Sequence, residues 1–393
     1  MDDTEATGMR MRLQPGQLFD GTELAAGRDV LVEEGRICAV LDRAEPDPAG
    51  ATGRDWQRQV VPGTLAPGFL DIQVNGGGGA LVNTLQDAAE FQTILDAHAK
   101  GGTAHMLPTV ITDAPEVLAH VVTLFLQAWP HPALAGLHIE GPHISLARRG
   151  THATQHIRPL DQATWQAVGQ LRAAGVPVLM TVAPETVSPD EISALVGQGV
   201  HVSLGHTDAT AAVMAQGFAA GAGLVTHLFN GMSQMQNREA GAVGAAIDSD
   251  AYCSIIADGI HVSDQMLAIA CRARPVAERM VLITDAMPTV NGPDAFDLYG
   301  KTVRVEAGRL VNAEGSLAGA HVTMAGCVRF MVEKVGLVLA PVLAMATSVP
   351  ATALGLEGQL GHIAPGRTAR FTVMSDDLSE GHAFCLDTAL PGN

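Results

Sequence analysis

Strand-length runs of apolar residues recur along the chain, and their spacing sets the expected fold. Residues 11–61 have a strand-like pattern. Within them, Asp29-Val-Leu-Val-Glu33 and Arg36-Ile-Cys-Ala-Val-Leu41 flank a Glu34-Gly35 turn, which is the pattern of a hairpin. Residues 45–53, with two prolines and two glycines among polar positions, read as a loop. Further on, strand-like runs occupy 68–74, 103–109, 134–139, 176–183, 200–204, 224–227, 252–257 and 281–284. Helix-like stretches such as 88–100, 190–197 and 264–274 lie between them. Eight βα-like units of this kind predict a parallel (β/α)8 TIM-like barrel with right-handed crossovers. Near the C-terminus, Gly361-His-Ile-Ala-Pro-Gly366 reads as a turn and Ala369-Arg-Phe-Thr-Val-Met374 as a strand. The fold class is thus α/β. A barrel of residues 62–355 is joined to a small β-sandwich domain that residues 1–61 and 356–393 form together.

The stretch 335–356 carries no charged residue. Pro341 and Pro350 interrupt it, and Thr347, Ser348 and Thr352 make it partly polar. It predicts a buried helix followed by a second short helix rather than a membrane span.

Composition narrows the class. A 47% hydrophobic chain of 393 residues with 43 glycines suits a large folded α/β core and argues against disorder. Its net charge of −18 makes nucleic acid and anionic membranes unexpected partners. The same charge means that an anionic substrate needs local cations to offset the field. Cys38, Cys253, Cys271, Cys327 and Cys385 are scattered without CxxC spacing, which fits free thiols in a reducing compartment. The acidic start, Met1-Asp-Asp-Thr-Glu, lacks a basic-then-apolar signal pattern, so a cytoplasmic protein is expected.

Four fragments carry the chemistry, each closing an apolar run: Leu137-His-Ile-Glu-Gly-Pro142, Leu204-Gly-His-Thr-Asp208, Thr226-His-Leu-Phe-Asn230 and Ile283-Thr-Asp-Ala-Met287. In parallel barrels the chemistry sits at the C-terminal ends of the strands. Glu140, His206, His227 and Asp285 fall there. Two imidazoles and a carboxylate suit a divalent metal with an open position, and a second carboxylate nearby suits a general base. His138 shares a strand face with Glu140 and is expected one layer deeper, as packing. Asn75-Gly-Gly-Gly-Gly79 forms no Walker or GxGxxG pattern; it allows close backbone approach to the site.

On these fragments the chain resembles the amidohydrolase superfamily, and more narrowly the N-acetylglucosamine-6-phosphate deacetylase family within it. The resemblance extends through Leu65-Ala-Pro-Gly-Phe-Leu-Asp71, Gly150-Thr-His152, Ile256-Ala-Asp-Gly-Ile-His-Val262 and Leu317-Ala-Gly319. It implies that Glu140, His206 and His227 bind one divalent metal per subunit, zinc first, with Fe2+, Mn2+ or Co2+ also compatible. It implies Asp285 as the catalytic acid/base and His152 as the group that polarises the acetyl carbonyl. Asn230, Gly231 and the turn Leu317, Ala318, Gly319 would contact the sugar, and Arg238 and His261 its phosphate. A homodimer in which Arg238 reaches into the neighbouring subunit's site is also implied.

Two departures refine this expectation. Where many amidohydrolases have His-x-His after the first strand, this chain has Gln73 and Asn75, poor zinc ligands, so a single metal is expected. The chain has only three lysines, Lys100, Lys301 and Lys334, none at a predicted strand end near the histidines. A carbamylated bridging lysine of the kind cyclic-amide hydrolases use is therefore not expected. The implied reaction is hydrolysis of N-acetylglucosamine 6-phosphate to glucosamine 6-phosphate and acetate. The alternatives are another N-acyl sugar or N-acyl amino acid, or, from a different class, a non-catalytic barrel scaffold.

Overall fold

The structure is a computed structural model that describes residues 10–48, 55–312, 315 and 317–386. The acidic start of the chain and the end of the 45–53 loop lie outside these residues. Eight parallel strands form one sheet in the order Met280–Ile283, Tyr252–Ile256, Leu224–Val225, Val200–Leu204, Val178–Val182, Leu137–Glu140, Thr103–Ile111, Phe69–Val74. All eight apolar runs are strands in the structure, with ends that shift by a few residues. They were legible because strands covered on both faces have no polar side: every residue of Val178–Val182 and of Met280–Ile283 is buried.

The barrel closes between its first and last strands. There the bridge Val74↔Ala286 and the bond from Asp285 N–H to the Gln73 carbonyl (3.0 Å) replace a regular ladder. The crossover helices are stopped and started by local chemistry. Pro189–Gly197, for example, opens with a capping box between Ser188 and Glu191. The charge-free stretch supplies two short helices, Leu339–Met345 and Ser348–Ala353. The second packs Ala351 and Ala353 against Leu70, Val281 and Ile283 on the first and last barrel strands. No helix of the described residues is long and apolar enough to cross a membrane.

Both chain ends join one seven-stranded sheet, in the order Gly381–Cys385, Arg370–Met374, Gln57–Pro67, Arg10–Phe19, Arg28–Glu33, Arg36–Asp42, with Leu24–Ala26 also pairing to Arg10–Phe19. The hairpin turn falls at Glu34 (φ +51°) and Gly35 (φ +72°), as its sequence implied. Leu13, Val30, Leu65 and Phe371 form its core. Gln57–Pro67 runs into the first barrel strand, so this sheet is tied to the barrel wall.

Two features were not visible in the sequence. Arg12 is fully buried, and its guanidinium donates to Asp29 Oδ2 (2.7 Å), Asp47 Oδ1 (2.6 Å) and the carbonyls of Glu45 and Arg43 (both 2.9 Å). A three-stranded insert, Ala295–Leu298, Lys301–Glu306 and Arg309–Asn312, follows the last barrel strand. Its first turn uses Tyr299 (φ +52°) and Gly300 (φ +75°). The Tyr299 hydroxyl donates to the Thr112 carbonyl (2.5 Å), which fastens the insert to the barrel mouth.

Candidate active site

Strand geometry delivers the chemical groups. Glu140 is the last residue of its strand, and His206, His227 and Asp285 lie two residues beyond the ends of theirs. The last three have φ of +47°, +33° and +51°, a left-handed backbone that costs non-glycine residues ~1–3 kcal/mol each. The same backbone state serves ordinary turns at Glu34 and Tyr299, whereas here it falls on three strand ends that line one cavity. Beneath them the barrel interior is polar. His138 bonds Thr109 Oγ1 (3.3 Å) through Nδ1 and Thr181 Oγ1 (2.8 Å) through Nε2, and Thr181 and Ser203 both bond Thr226 Oγ1. His138 thus lies in a satisfied layer below the site, and burial draws its pKa down to about 4.

Three ligand atoms converge above that layer. His227 Nε2 is 3.0 Å and His206 Nε2 3.3 Å from Glu140 Oε1, and the two Nε2 atoms are 3.1 Å apart. Lone pairs crowded this closely need a proton or a cation between them. Ligand atoms ~2.0–2.1 Å from a tetrahedral ion stand roughly 3.3 Å apart, so the spacing fits a divalent ion. His206 donates from Nδ1 to the Arg148 carbonyl (2.8 Å), which leaves Nε2 unprotonated for coordination. His227 Nδ1, by contrast, is buried without a partner among the described residues. Burial works against the Glu140 carboxylate, yet the His206 and His227 rings packed against it hold its pKa well below the ordinary range.

His152 completes the wall. It offers a ligand atom within 4.8 Å of those of Glu140 and His206. Its Nδ1 is engaged with Thr112 Oγ1 (2.7 Å), and burial, together with His206, draws its pKa down to about 3, so the ring is neutral. Glu140, His206 and His227 are the tighter set, with His152 as a fourth neighbour. Asp285 faces them from the barrel seam. Burial and then the Glu140 charge push its carboxyl up to about 6, while Asn75 Nδ2 (2.7 Å) and Gln73 Nε2 (3.1 Å) donate to its Oδ1. His261 is oriented by Asp258 (Nδ1 to Oδ2, 2.7 Å).

A cavity of about 180 Å3 opens over these groups and is lined by Glu140, His152, His206, His227, Asn230, Gly231, His261, Asp285, Leu317 and Gly319, together with Asn75. An adjoining cavity of about 240 Å3 shares His152 and includes Ala318, Tyr299 and Lys301. Of the residues expected from the sequence to bind metal or substrate or to catalyse, Arg238 alone lines neither; it is exposed on the 231–240 loop. Sequence reasoning treated Gln73 and Asn75 only as absent ligands and passed over Thr112 and Asp71. Asp71 is fully buried and accepts from the Thr284 hydroxyl at 2.5 Å. The available signal was two polar residues, Asp71 and Gln73, inside an otherwise apolar strand, with Asn75 just past its end.

A barrel with a histidine and carboxylate cluster at its C-terminal mouth defines a class of hydrolase. The chain belongs to the amidohydrolase family, whose model matches residues 64–388. Within that class the similarity is to amino-sugar phosphate deacetylases. N-acetylgalactosamine-6-phosphate deacetylase of Shewanella is 40% identical, over 88% of this chain and 87% of the relative. N-acetylglucosamine-6-phosphate deacetylase of Haemophilus influenzae is 32% identical, over 88% and 90%. The crystal structure of N-acetylglucosamine-6-phosphate deacetylase from Pasteurella multocida superposes with a TM-score of 0.89 at 29% identity, covering 96% of this chain and all of that one.

Proposed function

We propose that this protein hydrolyses the acetamide of an N-acetylhexosamine 6-phosphate, giving acetate and the free amino-sugar phosphate. N-acetylglucosamine 6-phosphate is the first substrate to consider. The galactosamine epimer is the second, favoured by the 40% identical relative. The observation that carries the proposal is the convergence of Glu140, His206 and His227 opposite Asp285 at the barrel mouth.

In this reading Glu140, His206 and His227 hold one divalent cation, zinc first, which when bound acidifies a water and polarises the acetyl carbonyl. Asp285 is the base: its Oδ1 is occupied by two amide donors, and Oδ2 takes the proton of the attacking water. His152, neutral and held through Nδ1, turns Nε2 to the carbonyl oxygen as charge develops there; a donor in that position is worth roughly 3 kcal/mol. Asp285 then returns the proton to the leaving nitrogen as the C–N bond breaks. Asn230, Gly231 and the 317–319 turn hold the sugar. His261, fixed by Asp258, meets the phosphate. Arg238, exposed on its loop, reaches the phosphate in the neighbouring subunit of a homodimer.

Product analysis by mass spectrometry on N-acetylglucosamine 6-phosphate and N-acetylgalactosamine 6-phosphate tests this reading. Loss of one acetyl group from at least one of them is expected. Turnover of N-acyl amino acids with neither sugar phosphate touched would overturn it.

A further inference from the structure

Asp71 and Gln73 on the first barrel strand and Asn75, one residue past its end, are buried, with relative exposures of 0%, 1% and 1%. All three bond to the residues after the last barrel strand. The Gln73 amide nitrogen lies 3.0 Å from Glu140 Oε1 and 3.1 Å from Asp285 Oδ1. The Asn75 amide nitrogen lies 2.7 Å from Asp285 Oδ1 and 3.3 Å from its carbonyl oxygen. Every one of these neighbours is an acceptor, so the surroundings themselves dictate that the nitrogen, not the oxygen, of each amide faces Asp285. Asp71 pins the adjoining backbone, accepting from Thr284 N–H (3.3 Å) and its hydroxyl (2.5 Å).

From this, and resting on the reading of Asp285 as the base, we infer that Gln73 and Asn75 are positioning residues for that base. The main-chain bonds fix where Asp285 begins, but its carboxylate still turns about its own side-chain torsions. Two donors on one oxygen remove that freedom and aim the other oxygen at the attacking water. Gln73 does a second thing: its two N–H groups go to two different carboxylates, Glu140 and Asp285, which would otherwise repel each other. Two donor groups therefore occupy the space between the first strand and Asp285, the place that histidines at 73 and 75 would give to a second cation.

The test is Asn75→Leu, close to an isostere without donors, measured for kcat, KM and metal content in the wild-type and Asp285→Asn backgrounds. In the wild-type background kcat falls about 10- to 100-fold, the scale of a misplaced reacting group, with KM and metal per subunit unchanged. In the Asp285→Asn background the same substitution changes kcat less than about twofold, because the group it positions is no longer a base. Equal losses in both backgrounds, an unchanged kcat, or loss of metal would each overturn the inference. Gln73→Met gives the same comparison should Asn75→Leu fail to fold. Full turnover by Asp285→Asn alone would instead refute the assignment of the base, a separate outcome.

Discussion

Replacing Asp285 by asparagine keeps the shape of the side chain and removes its basicity. The amide can turn its oxygen to Asn75 Nδ2 and Gln73 Nε2, which now stand 2.7 and 3.1 Å from Asp285 Oδ1, so the ground-state contacts survive. What is lost is proton transfer, first from water and then to the leaving nitrogen. A positioned general acid or base contributes typically 10²- to 10⁴-fold, or about 3–5 kcal/mol at 1.36 kcal/mol per decade. Because one carboxylate serves both transfers, a loss at the upper end of that range is expected in kcat, with KM and metal content near wild type. Stability moves the other way. Burial raises the Asp285 carboxyl to about 6, so its ionised form at neutral pH disfavours the folded state, and a neutral amide does not. The variant should melt no lower than the parent. Acetate release under saturating substrate, with metal per subunit from mass spectrometry, reads all of this. Turnover within about threefold of wild type would refute the assignment.

Gly231 sits at φ +56°, where a Cβ would lie 2.9 Å from His206 Nδ1. Gly231→Ala should therefore displace that ring and weaken metal binding about 10- to 100-fold, measured by chelator competition; unchanged affinity would contradict the role of His206. Arg12→Met leaves the buried Asp29 without a partner on one side and should cost about 3–5 kcal/mol in denaturant unfolding. A cost below about 1 kcal/mol would show that the Arg12 cluster holds nothing together. The base works only as a carboxylate, so kcat/KM should fall tenfold per pH unit on the acid side. That limb should lie at or below about 6, since burial raises the carboxyl to about 6 and a neighbouring cation draws it down. A limb above pH 7, or none down to pH 4.5, would contradict this.

The barrel was legible because its strands are covered on both faces, so each shows as an unbroken apolar run such as Val178–Val182. The site was legible for a related reason: Glu140, His206, His227 and Asp285 each stand where such a run stops. What escaped depends on partners distant in sequence. The strands of the insert are short, and the longest, Lys301–Glu306, is mostly exposed, so they carry no apolar run to find. Arg12 reads as a surface charge until the carbonyls of Arg43 and Glu45 wrap it. Gln73 and Asn75 looked like missing ligands because the carboxylate they hold lies more than 200 residues away. Arg238 follows the same logic in reverse: nothing in one chain brings it to the cavity, and its proposed role depends on a second copy.

The most direct test of the central claim is acetate release from N-acetylglucosamine 6-phosphate and from N-acetylgalactosamine 6-phosphate, each beside its unphosphorylated sugar, with and without a chelator. Glu140, His206 and His227 as a cation site and His261 as a phosphate contact require that release from at least one phosphorylated sugar stop on chelation and return with added zinc. They also require kcat/KM for the corresponding unphosphorylated sugar to be at least about tenfold lower, the effect of one lost charge-assisted contact of ~1.4 kcal/mol or more. Acetate release that persists in chelator, or that is indifferent to the phosphate, would contradict the account.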